Sequence, residues 1–98
     1  MPRFMIERSF GAISDEEMLE AAVRSDRIMQ ERYPGITWEH SHICVDPDGG
    51  IVTYCVYTGP SEEVVREHAL ALGGHSITKV VEIAEDVTPQ EVRRRAGV

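Results

Sequence analysis

The 98-residue chain carries 10 Lys and Arg residues against 17 Asp and Glu residues, which gives a formal net charge of −7 at pH 7. A chain of this length can bury one hydrophobic core, and its negative charge disfavours nucleic acid or an anionic membrane as a partner. Because 42% of the residues are hydrophobic and neither a signal peptide nor an apolar run of about 20 residues is apparent, the composition predicts a folded cytoplasmic protein.

The first half of the chain predicts a strand, a long helix and a second strand. Residues 3–9 alternate apolar and polar side chains, which is typical of a strand. Ser14 and Glu17 have the spacing of a capping box and begin a helix of about five turns. Pro34 and Gly35 end that helix, and residues 36–45 follow as the second strand.

The second half predicts two more strands, a second long helix and a short terminal helix. Turn residues at 46–50 join the second strand to a third over residues 51–58, which favours a hairpin. Ser61 caps a helix that ends at a pair of glycines, and residues 77–85 form the fourth strand. Thr88, followed by proline at the first helical position, begins the short C-terminal helix.

This βαββαβ order is typical of a ferredoxin-like α+β sandwich. It predicts a four-stranded antiparallel sheet with two helices on one face, because right-handed crossovers place both helices on the same side. We expect residues 1–86 to form this domain and residues 87–98 to form a helical tail. Since apolar residues occupy both faces of the strands, the bare face predicts a homodimer, a dimeric α+β barrel.

Both long helices carry polar residues on their predicted core-facing sides. Winding the first helix at about 100° per residue gathers its apolar residues into one arc. That arc contains Met18, Leu19, Ala22, Val23, Met29 and Tyr33. Asp26 falls near its middle with Gln30 one turn later, and His68 lies at the centre of the corresponding arc of the second helix. Two interpretations are open: a polar pocket, or incidental core polarity in which His68 bonds a backbone carbonyl.

The second strand predicts a histidine pair. Period-two alternation places Trp38, His40 and His42 on one face, and two histidines at this spacing can chelate a divalent ion. An exposed or packed pair with no ligand is the alternative interpretation. The spacing therefore indicates a possible metal site without identifying the ion.

The hairpin register predicts where the two cysteines lie. If Val45 sits opposite Ile51, then Ser41 faces Cys55 and His40 faces Val56. Cys44 then lies on the face opposite Cys55, so no disulfide is expected between them.

Several segments together resemble a family of small bacterial proteins, classed mainly as a domain of unknown function, whose best-described members bind nickel. These segments are residues 4–8 (FMIER), 38–42 (WEHSH), 54–57 (YCVY), 59–60 (GP) and 67–69 (EHA), together with Asp26 and Gln30. The resemblance implies a ferredoxin-like subunit, a homodimer whose sheets associate, and sites for divalent ions. Asp26, His40 and His68 are ligand types that suit nickel.

The leading hypothesis is therefore a non-catalytic, dimeric protein that binds nickel or a similar ion through Asp26, His40 and His68, for sequestration or handling. One alternative, from fold-level analogy, is a dimeric α+β-barrel monooxygenase, isomerase or cyclase with Asp26 or His68 as general acid or base. Another is a module that holds a small organic ligand in the cleft between the helices and the sheet. The residues predicted to line that pocket are Gln30, Trp38, Tyr54 and Tyr57.

Overall fold

A computed structural model describes residues 1–97 and confirms the predicted ferredoxin-like order of elements. The elements are β1 (Arg3–Gly11), α1 (Asp15–Arg32), β2 (Thr37–Val45), β3 (Ile51–Thr58), α2 (Glu62–Leu72), β4 (Ser76–Ile83) and α3 (Pro89–Ala96). The four strands form one antiparallel sheet in the order β2-β3-β1-β4, and α2 packs against both α1 and β4. No helix within residues 1–97 is long and apolar enough to cross a membrane.

The helices begin where the capping residues predict. The Ser14 hydroxyl accepts from the Glu17 amide at 3.1 Å, and the Glu17 carboxylate accepts from the Ser14 amide at 3.0 Å. Ser61 caps α2, and Thr88 caps α3 with Pro89 next along the chain. These side chains stabilise the helix starts because they satisfy backbone N–H groups that have no partner within the helix.

The hydrophobic core lies between the two long helices and one face of the sheet. Strand alternation directs Phe4 and Ile6 of β1 to this face, where Val65 and Ala69 of α2 cover them. We call the other side of the sheet the open face, defined by Met5, His40, His42, Tyr54 and Val81. Met5, His40 and His42 are exposed there, and Tyr54 and Val81 are half-buried.

The register of the hairpin agrees with the prediction. Val45 pairs with Ile51 and Ser41 pairs with Cys55. Cys44 and Cys55 are both free thiols, and they belong to opposite faces because Cys55 pairs with Ser41 whereas Cys44 pairs with Val52.

A β-bulge at Glu39 makes one prediction wrong: Trp38 does not share a face with the two histidines. The pairing shifts between Trp38, opposite Tyr57, and His40, opposite Val56. Glu39 is the extra residue, and its carboxylate accepts hydrogen bonds from the Arg3 guanidinium at 2.8 and 3.0 Å, which anchors the bulge. The extra residue reverses the alternation, so Trp38 lies on the helix side while the histidines lie on the open face.

The predicted core-facing side of α1 is also wrong in part. Leu19 and Val23 are 66% and 51% exposed, whereas Ala21, Ser25 and Met29 are buried. Ala21 and Ser25 turn inward because their short side chains allow α1 to pack against α2, where the Ser25 carbonyl oxygen lies 3.0 Å from His68 Nε2. Asp26 is consequently half-buried at the edge of the packed face, and Gln30 is exposed.

Candidate functional site

A cavity of about 180 Å³ lies between α1, α2 and the helix-facing side of the sheet. It forms because the inward side of α1 carries Ala21, Ala22 and Ser25, whose short side chains do not fill the space above β2 and β3. Most of its wall is apolar. The polar groups on the wall include Arg8 from β1, Tyr57 from β3 and His68 from α2.

His68 is held by the backbone of α1. The ring is 1% exposed, and its Nε2 lies 3.0 Å from the Ser25 carbonyl oxygen and 3.3 Å from the Ser25 hydroxyl. Because a carbonyl only accepts, Nε2 carries the proton and Nδ1, which has no partner among residues 1–97, is a buried acceptor. Burial lowers the pKa of His68, so the ring is neutral at pH 7. Tyr33 and Tyr57 pack edge-on against it.

Arg8 places a buried cation against the same cavity. Its side chain is 2% exposed, and Nη2 donates to the Tyr57 hydroxyl at 3.0 Å. Within residues 1–97, no carboxylate lies in ion-pair range of this guanidinium, and Nε has no hydrogen-bond partner. Burial raises the pKa of Tyr57 to about 12, although the neighbouring Arg8 charge opposes that rise, and the phenol therefore keeps its proton.

The structure brings some of the predicted site residues together and separates others. Asp26, Trp38, Tyr57 and His68 all line the cavity. Gln30 does not; it lies exposed on α1 and donates to the Asp26 carboxylate at 2.8 Å.

The three predicted metal ligands do not converge. His40 lies on the open face, so the sheet separates it from Asp26 and His68, and Tyr54 lies on that face too. His68 is already engaged with Ser25. Across the part of the chain that the structure describes, no group of three or more His, Cys, Asp or Glu side chains is arranged to hold a metal ion.

The open face instead carries a histidine pair. The ring centroids of His40 and His42 lie 5.3 Å apart at 82° to each other, and both rings are exposed. Nearby, the Tyr54 hydroxyl lies 3.5 Å from the Glu7 carboxylate, whose charge is the main cause of the raised pKa of Tyr54.

Arg8 and Ser25 are among the cavity residues that the sequence analysis does not predict as site residues. Arg8 follows Phe4 and Ile6 at two-residue spacing along β1, so strand alternation places its side chain on the core face with theirs. Ser25 lies four residues from both Ala21 and Met29, which is the spacing of a helix stripe. The signal in both cases was a polar residue at a core position.

Comparison with known proteins places the chain among small ferredoxin-like proteins. A family model described as "Nickel responsive protein SCO4226-like" matches residues 4–83. The crystal structure of SCO4226 from Streptomyces coelicolor A3(2) is 22% identical, with a TM-score of 0.66 over 87% of this chain and 99% of that one. No curated protein matched the sequence.

Two further solved structures share the fold. The de novo designed ferredoxin-fold protein LFR1 1 is 17% identical, with a TM-score of 0.57 over 91% of this chain and 90% of that one. SnoaB, a cofactor-independent oxygenase from Streptomyces nogalater, is 16% identical, with a TM-score of 0.50 over 90% of this chain and 96% of that one. At these identities the likeness concerns the fold alone, which therefore occurs both in an oxygenase and in a de novo designed protein.

Proposed function

The chain belongs to the SCO4226-like family of nickel responsive proteins, and we propose that it binds a divalent transition metal, nickel or a similar ion, as a homodimer that sequesters or handles that ion. The observation that carries the proposal is the pair of exposed imidazoles, His40 and His42, side by side on the open face. Neutral imidazole is a ligand that suits nickel, zinc and copper.

The spacing of the pair is compatible with one shared ion. An ion about 2.1 Å from a nitrogen of each ring lies roughly 3.2 Å from each ring centroid, so rings that share it can be up to about 6.4 Å apart. The observed separation of 5.3 Å falls within that reach. Two imidazoles are an incomplete ligand set, and Asp26 and His68 lie across the sheet, so the proposed site needs donors from a second copy.

The composition of the open face supports dimerisation through this surface. Met5, which is exposed, and Val81, which is half-buried, place apolar surface on it next to the two histidines, while Val52 and Val56 on the same face are already buried within one chain. A two-fold axis brings the same patch of both copies together, so burial of Met5, Val81 and the half-buried Tyr54 ring favours a face-to-face dimer. We propose that the two histidine pairs meet across this interface and supply four imidazoles, and that the chain's net charge of −7 favours the approach of cations.

Calorimetric titration of the metal-free protein with nickel, zinc and cobalt chlorides tests the proposal. We expect saturable binding of one ion per two chains, together with a dimer in sedimentation experiments. His40→Ala and His42→Ala are each expected to abolish binding, whereas the control His75→Ala, on the loop between α2 and β4, keeps it. No heat above dilution in the wild-type protein, or full binding by the His40→Ala/His42→Ala double variant, would overturn the proposal.

A further inference from the structure

The guanidinium of Arg8 is a buried cation with no carboxylate of residues 1–97 in ion-pair range. Its Nη2 donates to Tyr57, while Nε makes no hydrogen bond with residues 1–97. An ionised group taken out of water is costly unless it is paired, so a protein retains such a group where something else supplies the charge. A guanidinium presents its donors in a planar fork that matches the two oxygens of a carboxylate.

The groups beside Arg8 complete a site for one negative charge. The Tyr57 hydroxyl oxygen accepts from Arg8 and has the Ser25 hydroxyl as a second donor, so its own proton is available to an acceptor. Asp26, the acid on the cavity wall, forms no ion pair with Arg8 and is hydrogen-bonded to Gln30. His68 is neutral and adds no second cation. One positive charge suits a monoanion better than a phosphate dianion.

The size and lining of the cavity limit the rest of the ligand. An apolar cavity of about 150 Å³ in another protein holds one benzene molecule, so about 180 Å³ here accommodates a single six-membered ring with a small substituent. Apolar side chains supply most of the wall, among them Met18, Met29, Trp38 and Leu72. Such a wall favours a ring without further charges.

The geometry points to a binding site for a small cyclic or aromatic monocarboxylate in the cavity between α1, α2 and the sheet. Its carboxylate bonds the Arg8 guanidinium and the Tyr57 hydroxyl, and its ring packs against Trp38 and the two methionines. This site is on the opposite side of the sheet from the histidine pair. Separate experiments therefore test the cavity site and the histidine pair.

Titrations followed by two-dimensional ¹H–¹⁵N NMR test the inference. The probes are benzoate and cyclohexanecarboxylate, with benzyl alcohol as a neutral analogue of similar size and inorganic phosphate as a second anion. We expect both carboxylates to shift the Trp38 indole signal, whose N–H donates to Ser41, and to bind about tenfold or more tightly than the alcohol, because hydrogen bonds to charged groups are the stronger ones. Phosphate is expected to leave the cavity signals unmoved.

Variants separate the charge of Arg8 from the shape of the cavity. Arg8→Met is expected to lower carboxylate affinity to that of the alcohol, and Tyr57→Phe, which preserves the ring, to weaken it severalfold. Arg24→Gln, at an exposed position of α1, is the matched control and is expected to bind as the wild type does. The inference is overturned if no acid shifts cavity signals at millimolar concentration, if the alcohol binds as tightly as the acids, or if Arg8→Met retains the acid's affinity.

Discussion

Replacing Arg8 with Met is expected to make the ligand-free protein more stable, although it removes a hydrogen bond. The side chain is 2% exposed and contacts no carboxylate among the described residues, so the folded chain bears the cost of a desolvated charge. Methionine is a flexible, unbranched side chain that can fill the space occupied by the aliphatic part of arginine.

The size of the effect follows from two opposing contributions. Exchanging a buried ion pair for apolar groups of similar volume is often neutral or stabilises a protein by about 1–4 kcal/mol, and an unpaired buried charge lacks the attraction that offsets part of the desolvation cost in a pair. Against this, the Tyr57 hydroxyl loses its partner at 3.0 Å, and a buried polar group that is left unsatisfied costs about 1–3 kcal/mol. The net expectation is a gain of about 1 kcal/mol, rising to about 2 kcal/mol in Arg8→Met/Tyr57→Phe, where no hydroxyl is left without a partner.

Urea unfolding at neutral pH, without added carboxylates, measures this difference. A gain of about 1 kcal/mol corresponds to a rise of about 4–8 °C in the midpoint of thermal unfolding for a chain of this length. Arg24→Met, at an exposed position, controls for removal of a positive charge from an acidic protein. A loss of more than about 1 kcal/mol in Arg8→Met would refute the reasoning, because it would mean that the guanidinium is fully compensated without a ligand.

Three further predictions concern the helices and the core. Burial lowers the pKa of His68 and His75 below 6.5, so the unfolded chain binds more protons, and the free energy of unfolding should fall as the pH drops from about 7 to about 5. His68→Gln should show a shallower fall, and an unchanged slope would contradict this assignment. Gly59→Ala should destabilise by about 1–3 kcal/mol in urea unfolding, because the new Cβ would lie 2.9 Å from Val65 Cγ2 in the core; an effect below about 0.5 kcal/mol would contradict that contact. Leu19→Gln should change the stability by less than about 0.5 kcal/mol, and a loss of about 2 kcal/mol or more would mean that α1 buries this side chain.

The sequence predicted the fold because its signals were local and agreed with one another. Ser14 and Thr88 cap the first turns of their helices, as their hydroxyl groups predict. The βαββαβ order of elements then predicts the ferredoxin-like topology. The hairpin register followed from the pairing of Val45 with Ile51. Each of these features depends on neighbouring residues or on one turn.

The features that the sequence did not predict depend on contacts between distant residues. The bulge at Glu39 is anchored by Arg3, 36 residues away in the sequence, and no pattern in the neighbouring residues predicts it. The rotation of α1 that exposes Leu19 depends on how closely Ser25 approaches His68 on the other helix. Hydrophobicity alone, which is the basis of the prediction, favours burial of Leu19 and Val23 as well.

The sequence predicted some of the residues of the candidate site but not how they are arranged in space. Asp26 and His68 do line one cavity, but His40 lies beside His42 on the far side of the sheet, and the bulge places Trp38 in the cavity instead of beside the two histidines. Arg8 could have been found from its parity with Phe4 and Ile6, since a charged residue at a core position indicates a buried partner or ligand.

Paramagnetic NMR of the ¹⁵N-labelled protein during titration with nickel tests the central proposal most directly, because signals nearest the ion broaden first. The proposal predicts that the amides of His40 and His42 broaden first, followed by those of Tyr54 and Val56 on the paired strand, with saturation at one ion per two chains. The amide of His68, on α2, should keep its signal at that point. Early broadening centred on His68, with the signals of the histidine pair unaffected, would contradict the proposal and place the ion in the cavity instead.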